Sequence, residues 1–105
     1  MKIQVTREHI DQGEIAASEC CAVALAIKPF LKPGVNLQVD ESLIHLGSPV
    51  DELWGYENIE PPGYVSDFIK EFDALSKDDD RAVLSPFEFD LDIPQEFLKP
   101  TEVPL

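Results

Sequence analysis

SECCAVALAI, residues 18–27, is the stretch on which the fold turns. Two adjacent cysteines open a run that is otherwise small and apolar. Ser18 is a candidate N-cap for a helix starting near Glu19. At about 100° per residue, Cys20, Val23, Ala24, Ile27 and Leu31 share one helical face. Cys21, Ala22, Leu25 and Ala26 make most of the remaining circumference apolar, which predicts a central helix packed from several directions. Pro29 disfavours helical geometry at Lys28 and cannot bond back to Leu25, so the helix ends or kinks there. Pro33-Gly34 then turns the chain.

Working outward, KIQV (2–5) alternates, with Ile3 and Val5 on one side and Lys2 and Gln4 on the other, as in a short strand. Thr6 offers an N-cap for one helical turn, REHID, which Gly13 can end. VNLQVDESLIHL (35–46) has the pattern of a hairpin. With Asp40-Glu41 as its loop, Leu37 faces Ile44, Val35 faces Leu46, and Asn36 pairs with His45 on the outer side. Asp-Glu suits a tight primed turn poorly, which favours a longer or bulged loop. GSPVDELWGYENIEPPG (47–63) reads as a loop by its Gly and Pro content. YVSDFIKEFDALSK (64–77) is an amphipathic helix, with Val65, Phe68, Ile69, Phe72 and Leu75 as its apolar stripe and Asp67, Lys70, Glu71 and Asp73 outside. FEFDLDI (87–93) alternates strictly: Phe87, Phe89, Leu91 and Ile93 point in, and Glu88, Asp90 and Asp92 point out.

The order β-α-β-β-α-β predicts one α+β domain over residues 1–93, on the pattern of a ferredoxin-like sandwich with two helices on a four-stranded sheet. Pro94, Pro100 and Pro104 make residues 94–105 an irregular tail. A chain of 105 residues with 44% hydrophobic content buries enough surface to fold without disulfides or metals. Neither a signal peptide nor a stretch approaching the ~20 apolar residues of a membrane span is visible, so a cytoplasmic protein is expected.

The formal net charge is −13, and it is uneven. Residues 1–46 carry a net −2 and residues 47–105 a net −11. Such a surface repels nucleic acid and anionic membranes, and it speeds encounter with a basic protein. Trp54 and Tyr56, within DELWGYENIE, stand among acidic residues, which is the composition of an interface anchor. Asp78 to Asp80 lack the alternate spacing and distant Glu of a calcium loop and are expected in a solvated turn.

Catalytic and metal chemistry find little support. The chain holds no Gly-rich phosphate loop, no Gly-x-Ser-x-Gly and no His-Glu-x-x-His. Its two cysteines are adjacent, about 100° apart on a helix, and cannot close on one ion together. A reactive thiolate in the first helical turn is the better functional case. Glu14 and Glu19 oppose it, so buried core filler is expected of both cysteines. His9 is expected to cap or pack the first helical turn.

VTREHIDQG (5–13), CCAVALAI (20–27), FIKEFD (68–73) and PFEFDLDI (86–93) together resemble a group of short, uncharacterised phage and bacterial proteins. That group carries VTxEHIxxG, a cysteine before P-[VI]-A-L-A-[IL], FIxxFD and PFxF. Cys21 matches the cysteine, Ala22 stands where proline is common, and Ser18 stands where an earlier cysteine belongs. The resemblance covers about two thirds of the chain and implies an accessory gene of mobile-element type, with no activity to carry over.

The expectation is therefore a non-enzymatic, acidic interaction protein without cofactor or metal. It binds and inhibits or regulates a basic protein partner that handles nucleic acid or serves in defence. The nominated partner-binding residues are Trp54, Tyr56, Asp67, Glu71, Glu88, Asp90 and Asp92. The alternative is a small-molecule or ion-binding domain using the cleft beside Trp54.

Overall fold

The apolar run at 22–27 does form a central helix, but a shorter one than its sequence suggests. In the computed structural model, which describes residues 1–15, 17–49, 55–76 and 80–99, helix α2 spans Ala22–Ile27. Ala22, Val23, Ala24, Ala26 and Ile27 are all buried. The helix does not begin at Glu19, because the preceding carbonyls are engaged elsewhere. Ser18 O accepts from Val39 N and Cys20 O from Glu14 N, both at 2.8 Å. Cys21 is the N-cap, in extended geometry, and the first helical bond runs from Leu25 N to Cys21 O at 2.9 Å. After Ile27 the chain tightens into a 3-10 turn, Lys28–Phe30, as expected around Pro29.

Strand β1, Lys2–Val5, leads into helix α1, Arg7–Gln12, through a reciprocal cap. Thr6 Oγ1 accepts from His9 N at 3.3 Å, and His9 Nδ1 accepts from Thr6 N at 3.1 Å. His9 thus fills the role that Glu or Gln plays in the usual capping box. Gly13 ends α1 with an ordinary φ of −63°. Its glycine identity comes from contact: a Cβ there would sit 2.6 Å from Ala22 N.

The α+β class is as the sequence implies, but the single four-stranded sheet is not formed. Strands β2 (Asn36–Val39), β3 (Ile44–Gly47) and β4 (Tyr56–Ile59) make one antiparallel sheet in the order β2-β3-β4. Strand β5, Phe87–Asp90, pairs antiparallel with β1 alone. The cause is β4, which the sequence pattern hides as loop. It occupies the edge of β3 that a ferredoxin-like first strand would need, and Ser18 covers part of β2 through Val39. The hairpin register is Leu37↔Leu46, Gln38↔His45 and Val39↔Ile44, two residues from the expected pairing. A shift of two keeps every side chain on its predicted face. The loop lengthens to 40–43, and Asp40 Oδ1 closes it by accepting from Ser42 N at 2.7 Å and Leu43 N at 2.8 Å.

Helix α3, Gly63–Asp73, bridges the two sheets. Val65, Phe68, Ile69 and Phe72 are buried, as the stripe predicts, while the helix stops short of residue 77. Phe68 packs against Phe87 of β5 with ring centroids 4.6 Å apart, and Ser66 Oγ donates to Glu41 O in the β2–β3 loop. Arg81 ties the end of α1 to this layer. Its Nη1 donates to Ile10 O, Asp11 O and Gly13 O at 2.9, 2.9 and 2.7 Å, and its guanidinium lies 5.5 Å from the Phe72 ring centroid.

The Pro-containing tail expected from residue 94 begins inside the fold. A 3-10 turn, Gln95–Phe97, places Phe97 in the core. Lys32 N donates to Phe97 O and Lys99 N to Phe30 O, both at 2.9 Å, clasping an isolated Leu31–Leu98 bridge. Phe97 is an apolar anchor within that segment, which the prolines on either side conceal in the sequence.

Candidate interaction surfaces

Strand β5 and its extension hold the expected row of carboxylates. Phe89, Leu91 and Ile93 are buried while Glu88, Asp90 and Asp92 are exposed, so the alternation continues past the last paired residue, Asp90. Lys2 stands opposite Asp90 in the register, and its Nζ reaches Glu88 Oε1 at 3.5 Å. With both groups more than half exposed, this ion pair is worth little to stability and leaves the carboxylates presented to solvent.

Asp67 and Glu71 are exposed on α3 but do not join that row. Helix α3 packs on the Phe87 side of β5 through Phe68, whereas Glu88 and Asp90 point to the opposite side. Two acidic faces result, separated by the Phe68–Phe87 layer. Asp80 is an N-cap whose Oδ1 accepts from Ala82 N at 2.9 Å. Trp54, Asp78 and Asp79 lie outside the described residues.

Tyr56 sits at the start of β4, 71% exposed, rather than in a loop. Its ring stacks on His45, with centroids 5.9 Å apart and planes at 28°. The register places Asn36, Gly47 and Tyr56 in one cross-strand row and Gln38, His45 and Asn58 in the next, all on the outer face. His45 Nδ1 and Asn58 Oδ1 are 2.6 Å apart. With the amide oxygen accepting, Nδ1 is the donor of this contact. Sequence patterning exposes only the Asn36 and His45 part of this face. Tyr56 and Asn58 come from β4, whose YENI lacks alternation.

The cysteines sit at the entrance to α2. Cys21 is buried, and burial pushes its thiol upward, countered only in part by the backbone amides of Ala24 and Val23. Cys20 is half-buried, with Sγ 3.9 Å from Lys28 Nζ. Among the described residues, no group of three or more His, Cys, Asp or Glu side chains is placed to hold a metal ion. Nor is any helix among them long and apolar enough to cross a membrane.

No protein-family model, curated protein or solved structure matches this chain.

Proposed function

We propose that this chain is a small, non-catalytic, cytoplasmic interaction protein that binds a basic protein partner through the β5 carboxylate row and inhibits or regulates it. The supporting observation is the alternation of that row. Glu88, Asp90 and Asp92 are exposed on a backbone whose alternate side chains, Phe89, Leu91 and Ile93, are buried in the core. Along the strand, residues that share a face repeat at about 6.6 Å. A groove built to track a phosphate backbone meets, in this row, a line of regularly spaced negative charge. The partner is accordingly a protein that handles nucleic acid, of the kind that an accessory protein from a mobile element would restrain.

The test is to capture partners from native extract at low salt, identify them, and measure association of the recovered protein. Reversal of Glu88, Asp90 and Asp92 to Lys should slow association and weaken binding. The pair Asp67→Lys and Glu71→Lys, on the other acidic face, should act less. Wild-type affinity should fall steeply with salt as screening shortens the field to ~8 Å at physiological ionic strength. Salt-independent binding, or full binding by the β5 triple variant, refutes the assignment.

A further inference from the structure

The outer face of the three-stranded sheet is chemically unlike the rest of the molecule. Its six positions are Asn36, Gln38, His45, Gly47, Tyr56 and Asn58. None is a carboxylate, lysine or arginine, in a chain of net charge −13. Three are amides, each able both to donate and to accept, and a fourth is an imidazole whose Nδ1 is engaged with Asn58 Oδ1 at 2.6 Å, leaving Nε2 as its second polar atom. Gly47 lets the neighbouring side chains close over the centre of the face: it is buried, and a Cβ there would meet His45 Nε2 and Asn36 Cβ at 3.5 Å. Tyr56 stands beside it in the same cross-strand row as an exposed ring braced against His45.

We infer that this face is a binding site for a neutral carbohydrate. A sugar presents hydroxyls that both donate and accept around its edge, and an apolar C–H face. Amides and the imidazole match the first, and a braced aromatic ring matches the second. Charge disfavours three other occupants. A phosphate-bearing ligand is repelled by the whole protein, and a cation finds no carboxylate here to pair with. A second copy of this chain brings its own large negative charge. It would also meet too little area: three strands about 4.8 Å apart and four residues long at about 3.3 Å give roughly 190 Å². A standard protein interface needs ~800 Å² per partner. One or two sugar rings fit that footprint.

The experiment is an amide-resolved NMR titration of the full chain with three soluble neutral trisaccharides: maltotriose, cellotriose and triacetylchitotriose. At least one should give saturable shifts, with millimolar affinity, centred on Asn36, His45, Gly47, Tyr56 and Asn58. Tyr56→Ala removes an exposed side chain and should leave the fold intact while weakening binding roughly tenfold. Gly47→Ala places a methyl group against His45 Nε2 and Asn36 Cβ at ordinary contact distances, which crowds the side chains that line the face, and should weaken binding too. The triple Lys variant of Glu88, Asp90 and Asp92 should bind as wild type, which separates this site from the acidic row. Absence of saturable shifts with all three sugars overturns the inference. So do shifts that map away from this face, or binding unchanged in Tyr56→Ala.

Discussion

Replacing Arg81 with Met should destabilise this protein by about 2–3 kcal/mol, although Arg81 is a half-exposed residue next to an acidic run. Methionine keeps an unbranched apolar stem over Phe72 and removes only the guanidinium. Three carbonyls at the end of α1 then lose their donor. The bond to Asp11 O is exposed, and water replaces it at little cost. The bonds to Ile10 O and Gly13 O are partly buried. Leaving them unpaired costs about 1 kcal/mol each, the low end for a buried acceptor. The lost cation–π contact with Phe72 adds ~0.5–1 kcal/mol. For a domain of this size the sum corresponds to a fall in melting temperature of about 10 °C. Urea unfolding should show a lower midpoint with an unchanged slope. Arg81→Lys should recover only part of the loss, because its compact ammonium is more strongly hydrated and has no planar face to lay against Phe72. Arg7 donates to Arg81 O at 3.0 Å and to Leu84 O at 2.5 Å, so Arg7→Met and Arg81→Met should couple by at least ~0.5 kcal/mol in a double-mutant cycle. A loss below ~0.5 kcal/mol for Arg81→Met, the ordinary range of surface substitutions, would refute this account of the clamp.

Phe72→Ala should cost ~3–5 kcal/mol in chemical denaturation, and Phe68→Ala somewhat less, since Phe68 is the more exposed of the two at 8% against 1%. Gly13→Ala should destabilise by more than ~1 kcal/mol, because its Cβ meets the Ala22 backbone, which cannot rotate away. A neutral or stabilising effect would mean that α1 and α2 sit further apart. In the folded protein at neutral pH, Cys20 should react with a thiol reagent before Cys21, whose raised pKa and burial both suppress the thiolate. Mass spectrometry of partially labelled protein reports the order, and the reverse order would place Cys21 nearer the surface.

The elements that the sequence shows plainly are those whose side-chain period is clean. The α3 stripe, the Thr6 cap, the Pro29 stop and the β5 alternation depend on neighbours within a few residues, and each is found where its pattern lies. The errors have a common origin in long-range competition. Residues 18–21 have enough apolar character to extend α2, but the Ser18 and Cys20 carbonyls are engaged by Val39 and Glu14. Tyr56–Ile59 shows no alternation, yet Ile59 pairs with Ile44 and so completes the hairpin sheet. Once β4 holds the edge of β3, β1 is left with β5, and the chain divides into two sheets. Phe97 was hidden by composition, since the prolines around it suggest irregular structure without excluding burial.

That division has consequences for the surfaces. In a single sheet the β5 carboxylates and the Asn/Gln/His/Tyr face would have belonged to one continuous surface, and a mutation in either would have disturbed the field of the other. Here α3 links the sheets from the buried side, through Phe68 to Phe87 and through Ser66 to the 40–43 loop. The charged row and the uncharged face are therefore carried on separate small scaffolds sharing one core. Glu88 and Asp90 lie on β5, which pairs with β1 alone, Asp92 follows just beyond it, and Tyr56 lies on β4, which pairs with β3 alone. Distant sites of this kind contribute additively. Combining Tyr56→Ala with the triple Lys reversal should therefore give losses in basic-partner binding and in sugar binding that each match the corresponding parent variant. Surface plasmon resonance for the first and NMR titration for the second measure the two losses. A deficit in partner binding for Tyr56→Ala alone, equal to that of the triple reversal, would show instead that the aromatic face belongs to the protein interface.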